Sequence, residues 1–427
     1  MVDLDLGWIR NQFPALSQQI NGQPVIFFDG PGGTQVPSSV IDAIAEYLVN
    51  SNANAHGAFA TSQRTDALIT SARAAIADLL GCNSDELVFG ANMTTLTYTL
   101  SRAIGRELQP GDEIIVTKLD HYANVSPWYA LSERGVVIRE VDINVQDCTL
   151  NMNHLQQQIN ERTRLVAVGY ASNAVGTIND VATVVKLAHA VGAMVFVDAV
   201  HYVAHAPIDV HMLECDFLAC SAYKFFGPHV GVLYAKREHL ERLRPYKVQP
   251  APEELPSRWE TGTQNYEGLA GLVATINYLT QIGHQVLPGV KNRREALLAA
   301  MIAIKQYERD LCQKLVTGLL QIPGLTLYGI TDPTRFDWRT PTVGIRLAGQ
   351  PPHAIAKALG EEGIFTWNGN FYALGLTEKL GVESSGGLLR IGLVHYNTIE
   401  EIQRLLKALS ERVSCCSVNL AHISADI

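Results

Sequence analysis

From about residue 36 to 235 the sequence alternates stretches of helical period with short apolar runs rich in β-branched residues. That pattern is the mark of an α/β chain whose sheet is covered by helices on both faces. Seven strands are expected: Leu87 to Phe89, Glu113 to Thr117, Val136 to Val141, Leu165 to Gly169, Met194 to Val197, Phe217 to Cys220 and Gly231 to Ala235. Runs such as Leu165-Val166-Ala167-Val168 do not alternate, as befits central, mostly parallel strands buried on both faces. Helices are expected over Ser38–Val49, Asp66–Leu80, Thr94–Arg106, Val125–Glu133, Met152–Ile159 and Val181–Val191, and the Pro/Glu-rich stretch 250–256 reads as a loop. A long amphipathic stretch from Val290 to Leu320 leads into an α+β tail. The expected division is a large domain over 26–285 and a smaller one built from 1–25 and 286–427.

With a formal net charge of -9, the chain has no basic field to attract phosphate backbones or anionic lipid, so neither nucleic acid nor a membrane is an expected partner. Only 18% of residues are charged against 47% hydrophobic, which suggests much buried surface and is compatible with an oligomer. Seven cysteines, at 82, 148, 215, 220, 312, 415 and 416, form no C-x-x-C pair and fit idle thiols of a reducing cytoplasm. Residues 1–5 carry acids where a secretory leader carries bases, and no apolar run approaches the roughly 18 residues of a spanning helix. A cytoplasmic protein is expected.

Pyridoxal 5'-phosphate (PLP) chemistry requires a lysine to react with the cofactor aldehyde, an acid facing the pyridine nitrogen, and donors around the phosphate. The sequence offers each. Asp198 ends the run Met194 to Asp198, and the carboxyl ends of strands are where open α/β sheets place ligands. Lys224 follows another strand in Ser221-Ala222-Tyr223-Lys224-Phe225-Phe226-Gly227-Pro228, where aromatic neighbours would desolvate it and lower its pKa. Thr94 and Thr95 begin a helix after a strand, so amides there can meet an anion. Taken singly, each has an ordinary reading: a cap, a snorkelling lysine, a helix N-terminus.

Taken together, these segments resemble the class V aminotransferases, and within them the cysteine desulfurase and selenocysteine lyase group, from Phe28-Asp29-Gly30 to Tyr396-Asn397. The resemblance implies a fold type I PLP enzyme. It makes Lys224 the cofactor lysine, Asp198 the partner of the pyridine nitrogen and Ser221 a phosphate ligand. His201 stands where the family usually has a glutamine near the cofactor hydroxyl. Asp120-His121-Tyr122-Ala123-Asn124-Val125-Ser126-Pro127-Trp128 matches a segment whose first histidine stacks on the ring, implying that role for His121. No second His or Cys stands at metal-ligand spacing from it, and no metal site is expected. Ser172-Asn173-Ala174-Val175-Gly176-Thr177 places Asn173 beside the ring hydroxyl. Thr263, in Glu260 to Asn265, corresponds to a residue that reaches the partner subunit's phosphate, which implies a homodimer. Arg390 holds the position of the substrate-carboxylate arginine.

The family pattern fails in one segment. Desulfurases carry an Arg-x-Gly-x-x-Cys loop after a Gly-Ile, but Gly363-Ile364 is followed by Trp367 in place of the arginine and Tyr372 in place of the cysteine. Both are expected to line the substrate site. Cys415 and Cys416, after the last expected helix, are poor substitutes. Tyr122 and Tyr223 also replace histidines, so the pocket is expected to be more apolar. The expectation is an enzyme, transferase or lyase, acting on an amino acid or other amine: the amine displaces Lys224, which then serves as base at Cα. Transamination, β-elimination as in a carbon–sulfur lyase, and epimerisation share the resulting carbanion. A non-catalytic PLP-binding scaffold is the alternative from another class. Asp29-Gly30-Pro31-Gly32-Gly33-Thr34 has neither G-x-x-x-x-G-K nor G-x-G-x-x-G and is expected at the substrate entrance rather than around a nucleotide.

Overall fold

The computed structural model describes residues 4–423, and side chains as far as 412. The seven expected strands form one sheet: β1 (Leu87–Gly90), β2 (Glu113–Thr117), β3 (Val137–Val141), β4 (Thr163–Gly169), β5 (Met194–Asp198), β6 (Phe217–Ser221) and β7 (Gly231–Ala235), in the order β1-β7-β6-β5-β4-β2-β3. Only β7 runs antiparallel to its neighbours. The fold is therefore type I: α/β with a mostly parallel seven-stranded sheet. β2 and β6 are buried at every residue, whereas the edge strand β3 is buried only at Val141, which is why the inner runs lack alternation.

Helices cover both faces. The relevant ones are α1 (Ser38–Asn50), α2 (Ala60–Leu80), α3 (Met93–Ile104), α4 (Tyr266–Val286), α5 (Arg293–Leu319) and α6 (Ile399–Ile423). The expected helix Val125–Glu133 is instead a single α turn, Ser126–Tyr129, tightening into a 3₁₀ turn over Ala130–Arg134 that Gly135 ends at φ +82°. The last helix continues to Ile423, so Cys415 and Cys416 fall within it rather than after it; their side chains lie outside the described residues.

A second, antiparallel sheet holds β8 (Leu325–Tyr328), β9 (Thr342–Leu347), β10 (Trp367–Gly369) and β11 (Leu388–Gly392) in the order β8-β9-β11-β10. α5 joins the two bodies: Leu297, Met301 and Ile304 lie in the core of the large sheet, and Leu311, Leu315 and Leu319 in that of the small one. Ile9, Phe13 and Leu16 from the N-terminal segment bury in the large core, while Phe28 buries in the small one. Between them Ile26–Phe27 pairs in parallel with Ile364–Phe365, and Asp29 bridges to Gly392. This lacing brings residues 29–32 over the carboxyl ends of β4, β5 and β6. No helix among the described residues is long and apolar enough to cross a membrane.

Candidate active site

Strand register assembles the floor of the site. Asp198 pairs with Gly169 on one side and Ala219 on the other, so three neighbouring strands end at one level. Ser221 closes β6, and the chain turns through Ala222–Lys224 at once, carrying Lys224 above the strand ends. Across β7, Gly231 lies against the start of α3. A Cβ there would sit 2.5 Å from the Asn92 carbonyl carbon, so only glycine lets this helix N-terminus approach the sheet so closely.

A cavity of about 650 Å³ opens at this level. Eleven of the twelve sequence-predicted site residues line it: Thr94, Thr95, His121, Asn173, Asp198, His201, Ser221, Lys224, Trp367, Tyr372 and Arg390. Thr263 does not. It lies in an adjoining cavity of about 500 Å³ that shares Thr95 and His229 with the first. Among the described residues no cluster of His, Cys, Asp and Glu could hold a metal ion.

Burial dominates the electrostatics. Desolvation lowers the Lys224 amine from 10.5 to about 7, helped by the Arg390 charge and opposed by Asp198 and Asp29. Its Nζ donates to the Pro31 carbonyl and lies 4.9 Å from the Tyr223 ring centroid. Asp198, 8% exposed, accepts the Val200 N–H at 2.9 Å; burial still raises its carboxyl to about 6. Burial also lowers His121 to about 4, aided by Lys224 and Arg390, and its Nδ1 accepts the Ala123 N–H at 3.0 Å. The neutral ring therefore carries its proton on Nε2. His201, bonded through Nε2 to Thr340 Oγ1 at 3.0 Å, is held well below its usual value by burial first and then by His205 and the nearby cations.

Several polar groups point at nothing in the protein. Asn173 donates through Nδ2 to Phe371 O at 2.9 Å, but its buried Oδ1 has no partner. Arg390, in the middle of β11 opposite Trp367 and 4% exposed, gives one hydrogen bond, to Asn173 O at 3.0 Å. No carboxylate among the described residues lies within ion-pair distance of it, and desolvation lowers it to about 9. A buried guanidinium with spare donors is matched to an incoming carboxylate. At the N-terminus of α3 the Thr95 amide and hydroxyl are both spent on Asn92, which makes Thr95 a cap. Thr94 keeps its hydroxyl free at the cavity. Ser221 accepts the Met93 N–H at 2.9 Å and keeps its own proton to donate.

Four further residues take part that the motifs did not single out. Asp29, just before the cavity-lining Pro31 and Gly32, has a buried, unpartnered Oδ1; burial raises its carboxyl to about 6 against the pull of Arg390 and Lys224. Asp120, at the head of the His121 segment, binds the Gly169 N–H and the Asn124 amide at 2.9 and 3.0 Å, and burial raises it to about 7. Phe371, beside the predicted Tyr372, covers the Arg390 guanidinium with ring centroid and carbon 4.3 Å apart. His229 stacks on Tyr223 at 4.8 Å. Asp29, Asp120 and Phe371 lie within segments the sequence had flagged; His229 left no local signal. Five cysteines have described side chains, at 82, 148, 215, 220 and 312, and none lines the cavity.

Residues 26–405 match the family model described as aminotransferase class-V. A cysteine desulfurase of Pectobacterium atrosepticum is 32% identical over 418 residues, covering 94% of this chain and 96% of that protein. Among solved structures, the apo cysteine desulfurase of Thermococcus onnurineus NA1 superimposes with a TM-score of 0.86 at 27% identity, covering 96% of this chain and 98% of the other. The cysteine desulfurase CsdA of Escherichia coli gives 0.82 at 28% identity, covering 97% and 99%.

Proposed function

This chain belongs to the class-V aminotransferase family, in its cysteine desulfurase-like branch, and is a PLP-dependent enzyme; on that premise we propose that it acts on an amino acid by proton removal at Cα, without transferring sulfur to a loop cysteine. The observation that carries the proposal is Arg390, a buried guanidinium with spare donors above a low-pKa lysine in the same cavity. The residues present fit the cofactor. Lys224 would hold it covalently, Asp198 would face the ring nitrogen, the unpartnered Asn173 Oδ1 would meet the ring hydroxyl, and Ser221 and Thr94 would donate to the phosphate at the α3 N-terminus. When bound, PLP supplies an electron sink for charge developing at Cα.

The chain's own residues do the rest. Arg390 fixes the substrate carboxylate, which holds the Cα proton in one orientation. Lys224, its amine lowered to about 7, is about half unprotonated at that pH and can take that proton and return it. The carboxylates Asp198 and Asp29 balance the site's two cations. Tyr372 occupies the position of the sulfur-accepting cysteine, and a phenol forms no persulfide. The reading therefore favours carbon–sulfur β-elimination, transamination or epimerisation over desulfuration. A non-catalytic PLP scaffold would have no use for a desolvated, unpaired Arg390. Thr263 is proposed to complete the phosphate site of a second subunit, a role supported by its position outside its own cavity.

Incubation of the holoenzyme with single amino acids, followed by absorption spectra and product analysis, tests this reading. Pyruvate with sulfide from cysteine marks elimination, a pyridoxamine form marks transamination, and an inverted Cα marks epimerisation. Persulfide accumulating on the protein, or no response to any amino acid, refutes it.

A further inference from the structure

Phe371 and Tyr372 both adopt left-handed backbone, with φ of +55° and +58°. Residues with side chains hold that conformation only where their surroundings impose it. Four hydrogen bonds do so here. Asn173 Nδ2 donates to Phe371 O at 2.9 Å, Tyr122 N to Tyr372 O at 2.8 Å, Tyr372 N to Asn370 Oδ1 at 3.0 Å, and Asn370 Nδ2 to Glu383 Oε1 at 3.0 Å. Both carbonyls and the side chain of the preceding Asn370 are pinned, so the backbone of the segment is a fixed platform.

The product of this strained geometry is the placement of two rings. In an extended backbone successive side chains turn to opposite faces; here both line the cavity. Phe371 covers Arg390, and Tyr372 lies 5.3 Å from His121 with the rings tilted by 30°. Tyr372 is 71% and Trp367 51% exposed, so these faces are open to a ligand. Trp367, the cross-strand neighbour of Arg390, backs onto Gly32, where a Cβ would lie 2.5 Å from the indole Nε1.

We propose that Phe371, Tyr372 and Trp367 form a preset slot beside Arg390 that selects amino acids with an aromatic side chain. The inference rests on the amino-acid reading of the site given above. A carboxylate held at Arg390 leaves the substrate side chain among these rings, where a flat aryl group gains stacking contacts that a methyl or thiol cannot make. Because the backbone that carries Phe371 and Tyr372 is already pinned, little backbone ordering entropy is lost on binding.

The test is a spectral titration of the holoenzyme with L-phenylalanine, L-tyrosine, L-alanine and L-cysteine. The aromatic pair should bind at least ten-fold more tightly than the other two. Tyr372→Gly removes a ring at a φ that glycine adopts freely, so the fold is kept; it should bring the aromatic-to-alanine ratio toward one, while Tyr372→Phe preserves it. A ratio near one in the natural protein, or one unmoved by Tyr372→Gly and by Phe371→Gly, overturns the slot alone. Silence toward these four while another amino acid responds also overturns the slot alone; silence toward every amino acid overturns the amino-acid reading and the slot with it.

Discussion

Replacing Lys224 with methionine keeps an unbranched side chain of similar length and removes one amine, and in the cofactor-free protein it should raise stability. The amine holds its proton more weakly when folded, at about 7 against the usual 10.5. Its charge therefore costs stability wherever the unfolded chain stays protonated. The cost is full below about pH 7 and shrinks as pH rises from 7 toward 10.5. At 1.36 kcal/mol per pH unit the gap amounts to about 5 kcal/mol in acid, falling to about 4 at pH 7 and about 2 at pH 9. The attraction to Asp198 and Asp29 is already contained in that figure; loss of the bond to Pro31 O offsets part of it, leaving an expected gain of about 3 kcal/mol at pH 7. Urea denaturation of both cofactor-free proteins at pH 6, 7, 8 and 9 measures the difference as a shift in midpoint. A gain that does not vary with pH, or that widens as pH rises, would refute the reasoning, because a desolvated ammonium predicts the opposite slope.

Three more outcomes are expected. Asp29, raised to about 6, is costly in its charged form, so its own contribution to stability should fall as pH rises from 4 to above 6, and cofactor-free Asp29→Asn should gain up to about 3 kcal/mol over the natural protein at pH 8 and nothing at pH 3.5, again by urea denaturation. Arg390→Gln removes charge-assisted bonds of about 1.5–3 kcal/mol each and should weaken the spectral dissociation constant of a responding amino acid at least ten-fold, with Arg390→Lys recovering only part of the loss. Gly283→Ala would place a Cβ 1.9 Å from Ala296 O at the crossing of α4 and α5, and thermal melting should show a loss of about 1–3 kcal/mol or more.

That last contact also explains a gap in what the sequence disclosed. α4 was not anticipated, because Gly268, Gly271 and Gly283 interrupt it and glycine is a poor helix former. Its stability comes from neighbours: a Cβ at Gly271 would meet the Ile44 side chain at 3.0 Å, and Gly283 lies against the backbone of α5. α2 begins at Ala60 rather than at Asp66 for a similar reason. Ser62 and Thr65 carry no apolar signal, yet both are fully buried and bonded to backbone carbonyls of residues 51–54.

The sheet strands were legible because a strand buried on both faces must be a continuous apolar run, and each such run ends where its polar residue begins. Asp198, Ser221 and Lys224 were visible for that reason, since strand ends are where a buried sheet first meets its ligand. Sequence alone thus determined the sheet and singled out Lys224 as the candidate cofactor lysine and Tyr372 as the residue at the loop position. Tertiary structure decided what those residues are worth chemically. Lys224 is lowered to about 7 because burial and the Arg390 charge, brought from far along the chain, outweigh the pull of Asp198 and Asp29. Arg390 keeps spare donors because no carboxylate among the described residues lies within ion-pair distance of it, and Thr95 is a cap because its amide and hydroxyl bond to Asn92. Periodicity records which residues leave water; a pKa or an unpaired donor depends on which distant group is folded against them.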